Sequence, residues 1–338
     1  MSKRENYVND ELFQPAHISS DKSEKIAGPS LSFWQDAWMR LRKNKSAIVG
    51  CIILLALTVL AIFGPMMNDY GFDDQQLTRA NLPAKVPGIE KLGIMDGTDD
   101  MGNDMYEMKG LEEGTYFWFG TDGLGRDLWT RVWQGTRISL YIALLAAAID
   151  MVIGVIYGGI SAYYGGRVDN VLQRIVEILV GIPNLVVVIL MILVLDPGII
   201  SITVALTITG WIGMSRIVRG QILKLKGQEF VLASRTLGSS DNKIISKHLI
   251  PNVMGVIIIN TMFTIPSAIF FEAFLSFIGL GLQPPLASLG TLIEEGYRNM
   301  QIFPHMMIYP SIIISLVMIA FNVVADGLRD ALDPKMRE

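Results

Sequence analysis

The chain is poor in the residues that build disulfides and metal sites. It has one cysteine, Cys51, and three histidines, His17, His248 and His305, among 338 residues. A single cysteine excludes an intrachain disulfide, and three histidines far apart in sequence do not form a ligand pattern. We therefore expect no metal and no other cofactor bound by this chain.

Charge is scarce as well. Charged residues make up 18% of the chain, whereas about 25% is usual in soluble domains. No basic face that would favour a nucleic-acid partner is apparent. The sequence also lacks a Gly-x-x-x-x-Gly-Lys-Ser/Thr phosphate loop and any nucleophile–base set within its apolar runs, which predicts no ATP site and no catalytic residues. The first 30 residues lack the apolar segment and cleavage site of a secretory signal.

Long apolar runs are what the sequence has in abundance. A spanning helix needs about 20 mostly apolar residues, because the hydrocarbon core is about 30 Å thick. The sequence therefore predicts an all-α integral membrane protein with about six transmembrane helices. They lie at residues 46–63, 138–162, 171–195, 199–215, 253–280 and 306–325, the fifth bent at Pro266.

The basic residues predict the direction of the spans. Lys and Arg are enriched in cytoplasmic segments, and Arg40, Arg42, Lys43 and Lys45 crowd the start of the first run. Six more basic residues flank or lie in the connection between the fourth and fifth runs, at 216, 219, 224, 226, 243 and 247. We therefore predict that both termini and this connection are cytoplasmic.

Two segments outside the spans are predicted as interfacial helices. The first has its apolar face at Phe33, Trp34, Ala37, Trp38 and Leu41, beside basic residues. Its alternative is a continuous extension of the first span. The second follows a long acidic external loop, whose aspartates lack the spacing of a calcium loop and predict a solvated face. This second helix contains i,i+4 pairs at 127/131 and 129/133 and ends at residue 137, an arginine for which we expect a carboxylate partner.

The connection from 228 to 252 predicts two short helices joined at a glycine corner. Phe230, Ala233, Ser234 and Leu237 recur at i, i+3, i+4 and i+7, which gives one helical face of small and apolar groups. Gly238 follows, where left-handed geometry costs glycine little. Ser240 and its neighbours cap the second helix, and Pro251 ends it. An apolar face on such a protrusion is unfavourable unless a partner covers it.

This connection resembles the coupling loop of ATP-binding-cassette importer permeases. Their pattern is Glu-Ala-Ala, three residues, Gly, nine residues, Ile-x-Leu-Pro. Here Leu232-Ala233-Ser234, three residues, Gly238, nine residues and His248-Leu249-Ile250-Pro251 keep the same spacing. Leu232 stands where the pattern has Glu, with Glu229 one turn upstream, and His248 stands where it has Ile.

Four further segments are similar to peptide-type permeases: 38–45, 119–137, 272–288 and 322–334. Together the motifs resemble the second (C) transmembrane subunit of oligopeptide and dipeptide importers, from about residue 33 to the C-terminus, with an insertion at 68–115. The resemblance implies a multi-pass protein of the bacterial inner membrane that takes up oligopeptides by alternating access. It implies as partners a homologous permease, two cytosolic subunits that bind ATP and Mg, an extracytoplasmic peptide-binding protein and membrane lipid.

Dipeptide and nickel-chelate importers share these motifs and remain alternatives. An ion-coupled secondary transporter is the alternative of a different class, and it would favour paired intramembrane charges and two matching halves. The predicted organisation has a cytoplasmic tail and interfacial helix at 1–45, the first transmembrane helix at 46–65 and the external loop with its helix at 66–137. A five-helix permease core at 138–327 contains the coupling loop 228–252, and 328–338 is a cytoplasmic terminus.

Two sets of candidate site residues follow. For contact with the ATPases the resemblance implies Glu229, Phe230, Ala233, Ser234, Leu237, Gly238, Ser240 and Pro251. Polar groups within spans are candidates for the pathway or for contacts between helices, here Asp150, Glu272 and Asn322. For Asp150 a hydrogen bond to a neighbouring helix is the alternative. Glu272 is predicted to pair with Arg137 or Arg126, and Asp326 with Arg329 or Arg167.

Overall fold

The computed structural model describes residues 33–99 and 101–332 of the chain, so the predicted tail at 1–32 and the last residues, 333–338, lie outside it. The described residues contain isolated β-bridges and no strand. Their α-helices are α1 Phe33–Lys43, α2 Lys45–Phe63, α3 Met105–Met108, α4 Leu128–Tyr164, α5 Gly166–Val180, α6 Asn184–Leu195, α7 Ile199–Leu225, α8 Glu229–Thr236, α9 Asp241–Ile244, α10 Ile250–Leu275, α11 Leu289–Asn299 and α12 His305–Leu332.

Five helical segments in the described part of the chain are long and apolar enough to cross a membrane: Lys45–Met66, Leu128–Tyr164, Ile199–Leu225, Asp241–Leu280 and His305–Leu332. The bent pair α5 and α6 makes a sixth if it is counted as one span. The predicted fold class, an all-α integral membrane protein with about six spans, is confirmed.

The third predicted span is not one straight helix. Residues 171–195 divide into α5 and α6, whose axes are bent by 81° at the break. Pro183 lies in the break. Proline has no N–H to donate and disfavours helical geometry at the residue before it, so a helix rarely passes through such a site unbroken. Hydropathy alone did not indicate the bend, because α5 and α6 together have the length and hydropathy of one span.

The prediction of a separate interfacial helix before the second span is also wrong. Asp127 caps α4 by accepting a hydrogen bond from the backbone N–H of Thr130 at 2.8 Å, and the helix then continues unbroken for 37 residues. Trp129 donates to the carbonyl of Gly64 at 2.9 Å, and Trp133 is buried. The aromatic pair therefore packs against the end of α2 as part of α4.

The first predicted interfacial helix is a distinct element. Asn44 has extended backbone geometry and caps α2 by accepting from the N–H of Ala47 at 3.2 Å. This cap separates α1 from α2, so α1 is not a continuous extension of the first span. Trp34 and Trp38 each expose 54% of their surface, as expected for a helix whose apolar side faces lipid.

The fifth span ends at residue 280, as predicted, but begins earlier than predicted. Pro266 lies inside the helix, which does not break there. It leaves helical geometry only at Gly279, where φ is 84°. At its other end, α10 is continuous with α9 through a π-helical turn, Ile245–Leu249, so Pro251 does not end the second short helix. Pro251 is the second residue of α10 and lies just after the π-helical turn. Its missing N–H removes one helical hydrogen bond, and a local π-helical adjustment of this kind accommodates such a gap.

Contacts between helix ends define two ends of the bundle. At one end, called the coupling end, Gly327 of α12 packs on Ala47 of α2, and Lys226 after α7 donates to the carbonyl of Ala162 in α4. At the other, called the loop end, the loop between α2 and α4 meets α12 through stacked Phe119 and Tyr309. The N-terminal helix, the connection after α7 and the end of α12 thus share one end.

Carboxylates of the acidic loop at the loop end accept hydrogen bonds from backbone N–H groups of the same loop. Asp99 accepts hydrogen bonds from the N–H groups of Met101 and Asn103 at 2.9 and 2.8 Å. The bonds from Asn103 are the main cause of a lowered pKa for Asp99. Asp104 caps α3 in the same way. No group of three or more metal-ligating side chains occurs within residues 33–99 and 101–332.

The most extensive helix packing among the described helices is between α4 and α7, along a seam of glycines. A Cβ added to Gly154 would lie 2.6 Å from Cβ of Met214, and one added to Gly158 would collide with the carbonyl oxygen of Ser215. A Cβ on Gly210 would collide with the carboxylate of Asp150. Small residues let helix backbones approach closely in lipid, where the hydrophobic effect does not drive helices together.

Gly158→Ala should lower the thermal stability of the protein in detergent. The added methyl group forces α4 and α7 apart, and overpacking of this kind costs about 1–3 kcal/mol. Gly159→Ala is the matched control, because a Cβ there meets its nearest neighbours at 3.8 Å. Melting temperatures of the two purified variants test this. Equal melting temperatures would contradict a tight seam at Gly158.

Candidate functional site

The connection between α7 and α10 folds as a short helix, a corner and a second helix. At the corner Gly238 has φ of 78°, as the sequence predicts. The N–H of Ser239 donates to the carbonyl of Ser234 at 3.1 Å, and that of Gly238 donates to the carbonyl of Arg235 at 3.0 Å. These two bonds form a Schellman motif, which ends α8 and requires the left-handed residue.

The predicted apolar face of α8 is divided between two sides. Ser234 is buried, and Val231, which the prediction omitted, is fully buried against Ile222 and Ile244. Phe230 and Leu237 expose 41% and 86% of their surfaces. The inner side of α8 therefore packs on the helix bundle, and its outer side is exposed.

The outer side of α8, with the corner, forms one exposed surface. Its apolar and small members are Phe230, Leu232, Ala233, Leu237 and Gly238, and the polar residues Arg235 and Thr236 of the same helix are exposed beside them. Glu229 lies exposed in the first turn of α8. Ser240 occupies the cap position of α9 and is exposed, but its side chain makes no capping hydrogen bond, and Pro251 is exposed at the start of α10. We call the five members first named the corner surface.

Polar contacts fix the corner to the end of α4. Tyr163 donates to the carboxylate of Asp241 at 2.5 Å, and the guanidinium of Arg235 lies 5.3 Å from the Tyr163 ring centroid. Nearby, a bidentate ion pair joins α7 to α5, since Arg219 donates to Asp169 at 2.7 and 2.6 Å. Sequence spacing gave no sign of these pairs, since their members lie 50 to 78 positions apart.

Asp150 and Glu272 are both buried carboxylates within spans, but their surroundings differ. Glu272 is fully buried and accepts hydrogen bonds from Ser139 at 3.0 Å and Ser276 at 2.8 Å. Asp150 is 5% exposed, and its Oδ1 has no hydrogen-bond partner. The predicted ion pair of Glu272 with Arg137 or Arg126 is therefore wrong, because serines from α4 and the end of α10 fill its acceptor positions.

The remaining predicted partners do not meet either. Within residues 33–99 and 101–332, Arg137 makes no ion pair and Asp326 pairs with neither Arg329 nor Arg167. Both side chains are exposed. Asn322 is exposed and donates to the carbonyl of Met318 in its own helix at 2.9 Å.

A buried charge cluster at the loop end was not predicted. Arg126 donates to Asp122 at 2.7 Å, and Arg131 binds both Asp122 and Glu295, the latter at 2.7 Å. Asp122, Arg126 and Arg131 are all at most 3% exposed. The cluster joins the loop, α4 and α11, and removing one partner would leave an uncompensated buried charge. Glu295 was missed because no motif contains it.

Comparison with known proteins places this fold in a family. Residues 150–338, more than half of the chain, match the family model described as binding-protein-dependent transport system inner membrane component. The chain belongs to this family. Residues 32–84 also match the N-terminal transmembrane domain of oligopeptide transport permease C. The chain is thus a multi-pass permease subunit of the inner membrane, and the resemblance seen in its motifs is confirmed.

Curated relatives cover nearly the whole permease. The dipeptide transport system permease protein DppC of Bacillus subtilis is 46% identical over 99% of this chain and 96% of the relative. The oligopeptide transport system permease protein OppC of the same organism is 44% identical over 97% and 98%. OppC of Escherichia coli is 39% identical over 93% and 95%. The match therefore includes the segment 68–115.

Glu272→Ala should lower the melting temperature of the permease and leave its choice of solute unchanged. The substitution removes the acceptor of two buried hydroxyl groups and opens a cavity, which together cost several kcal/mol. Because Glu272 is fully buried, no transported molecule contacts it in this conformation. Asn322→Ala is the control, since its side chain bonds only within its own helix. A stable Glu272→Ala protein with altered solute preference would overturn the structural role.

Proposed function

We propose that this permease is the C-type transmembrane subunit of an ATP-driven importer of oligopeptides, and that the corner surface docks on a cytosolic ATP-binding subunit. The observation that carries the docking proposal is the apolar corner surface itself. Leu237, with 86% of its surface bare, stands at the tip of a protrusion from the bundle. Exposed apolar patches of this kind mark sites of protein contact.

The partners proposed are a homologous permease, two ATP-binding subunits and an extracytoplasmic peptide-binding protein. ATP and Mg would bind to the ATP-binding subunits, because this sequence has no phosphate loop. In this proposal the chain itself catalyses no reaction. Relatives named for oligopeptide and dipeptide transport support a peptide solute, and dipeptides are the second candidate, since the dipeptide relative is 46% identical.

The anchored corner would transmit motion to the membrane helices. Val231 and Ser234 seat α8 on the core, and Tyr163, Asp241 and Lys226 tie it to α4. A displacement of the corner by ATP-driven closure therefore moves the coupling ends of α4, α7 and α10 together. Alternating access follows when that motion changes which end of the bundle opens between this permease and its homologue.

Gly238→Val should abolish uptake while leaving the permease inserted and paired with its homologue. A Cβ at Gly238 meets no atom within 4 Å, so the defect arises only from φ of 78°, which a β-branched residue strongly disfavours. Gly227→Val is the matched control in the same connection, because it also has open space and lacks positive φ. Peptide uptake in membrane vesicles and copurification of the ATP-binding subunits are measured together.

A second substitution tests the surface rather than the backbone. Ala233→Asp adds charge to the centre of the corner surface without entering the core, because Ala233 is exposed. We expect loss of uptake with normal amounts of assembled permease. Normal uptake in both Gly238→Val and Ala233→Asp would mean that this connection does not couple the ATPases.

Orientation is tested by reporter fusions after residues 5, 100 and 335. The basic residues at 40–45 and the shared end of α1, the corner and α12 support a cytoplasmic position for the coupling end. Fusions at 5 and 335 should therefore report cytoplasm, and the fusion at 100 should report the outside. A cytoplasmic signal at 100 would reverse the orientation and remove the ATPases from reach of the corner.

A further inference from the structure

A cavity of about 450 Å³ lies beside Asp150, halfway along the bundle. Side chains of α4, α6, α7 and α10 line it. Asp150 is the 23rd residue of the 37-residue α4, so the cavity is far from both ends of that helix. A carboxylate at this depth is costly unless it faces protein or a water-filled space.

The carboxylate is held open towards the cavity. Neither oxygen of Asp150 accepts a hydrogen bond from the described residues, and only 5% of the residue's surface is exposed. Gly210 of α7 makes the room for it, because any side chain at that position would collide with the carboxylate. Lys, Arg and His are absent from the lining. Asp150 is thus a buried carboxyl group with no cationic side chain beside it among the described residues.

The other polar groups of the lining add acceptors. Thr264 and Ser267 donate their hydroxyl protons to carbonyls of their own helix, at 3.0 and 2.9 Å, which leaves their oxygens as acceptors. Asn260 donates one amide N–H to the carbonyl of Val256 at 2.8 Å, which leaves its oxygen as an acceptor and its second N–H as a donor. Asn184 keeps its amide donors, since its oxygen accepts from Thr209. A lining rich in acceptors around one carboxylate fits a ligand with several N–H donors and a positive charge.

We propose that this cavity is a binding station for the protonated amine of the transported solute, the α-ammonium group in the case of a peptide. The ammonium supplies three donors, which match the carboxylate of Asp150 and the neighbouring acceptors. The solute class rests on the proposed function, whereas the preference for a cation rests on the cavity alone. Aromatic Phe263 and Phe271 line the same space and suit an apolar side chain beside the amine.

The charge of the cavity is tested by labelling. Ser267→Cys places a thiol at the exposed rim of the lining, in a Cys51→Ser background that removes the native thiol. In the assembled transporter the thiol should react faster with a cationic ethylammonium methanethiosulfonate than with the anionic ethylsulfonate reagent. Adding Asp150→Asn should reduce this ratio by about tenfold, as expected for a unit charge at close range in a partly desolvated site.

Occupancy is tested in the same preparation. A saturating short peptide with a free amino terminus should slow the labelling of Ser267→Cys, and the protection should disappear with Asp150→Asn. No labelling in the assembled transporter would show that the partner permease covers the cavity and would overturn the proposal. Labelling without any preference for the cation, or without protection by peptide, would overturn it too.

A transport measurement separates this inference from the proposed function. Asp150→Asn should reduce maximal peptide uptake by about tenfold with a normal amount of assembled complex, and Asp150→Glu should restore part of it. Loss of assembly in Asp150→Asn would assign the carboxylate to the permease interface instead. If the ATP-binding subunits fail to copurify with the wild type, the proposed function falls, while the labelling ratio still reports on the charge of the cavity.

Discussion

The close approach of α4 and α7 is the constraint on which the rest of this permease depends. In lipid, an apolar side chain gains little free energy by exchanging contacts with lipid tails for contacts with another helix. Helix association therefore rests on close packing and hydrogen bonds. Glycines at 154 and 158 bring α4 onto Met214 and Ser215 of α7 with no room for a further carbon atom. The same seam sets two other features. Near the middle of the bundle it brings Gly210 against Asp150, and at the coupling end it aligns Tyr163 with the connection that leaves α7.

Because the seam fixes the end of α4, the corner after α7 has a rigid base. The inner side of α8 is built into the core by Val231, and Tyr163 holds Asp241 at the start of α9. The outer side, where Leu237 is the most exposed residue, is not covered by any other part of the described chain. Because packed interiors deform little, a force on the exposed outer side of such a helix is transmitted to the core through its packed inner side. This asymmetry supports the proposed role of the corner surface in coupling.

The sequence predicted those features that depend on local composition. Apolar runs located the spans, and Gly238 was identified as the left-handed corner because few other residues tolerate that geometry. Features that depend on tertiary approach were not predictable from one sequence. Glu272 was assigned an arginine partner because charges in spans need compensation, but Ser139 and Ser276 satisfy it instead. The bend at Pro183 was missed since α5 and α6 together have the length and hydropathy of one span, and Glu295 joined Arg131 without any motif to mark it.

The helices that line the cavity include those to which the corner is attached. The proposed solute site and the proposed coupling surface are therefore structurally connected. Asp150 belongs to α4 and its neighbour Gly210 to α7, while Asn260 belongs to α10. These are the helices whose coupling ends are tied to the corner through Lys226 and through the continuous path from α9 into α10. In the proposed mechanism a shift of the corner would change the spacing of the cavity walls, and a solute held between those walls would resist or favour that shift. By linkage, a solute amine that binds one arrangement of the walls more tightly must bias the corner by the same free energy.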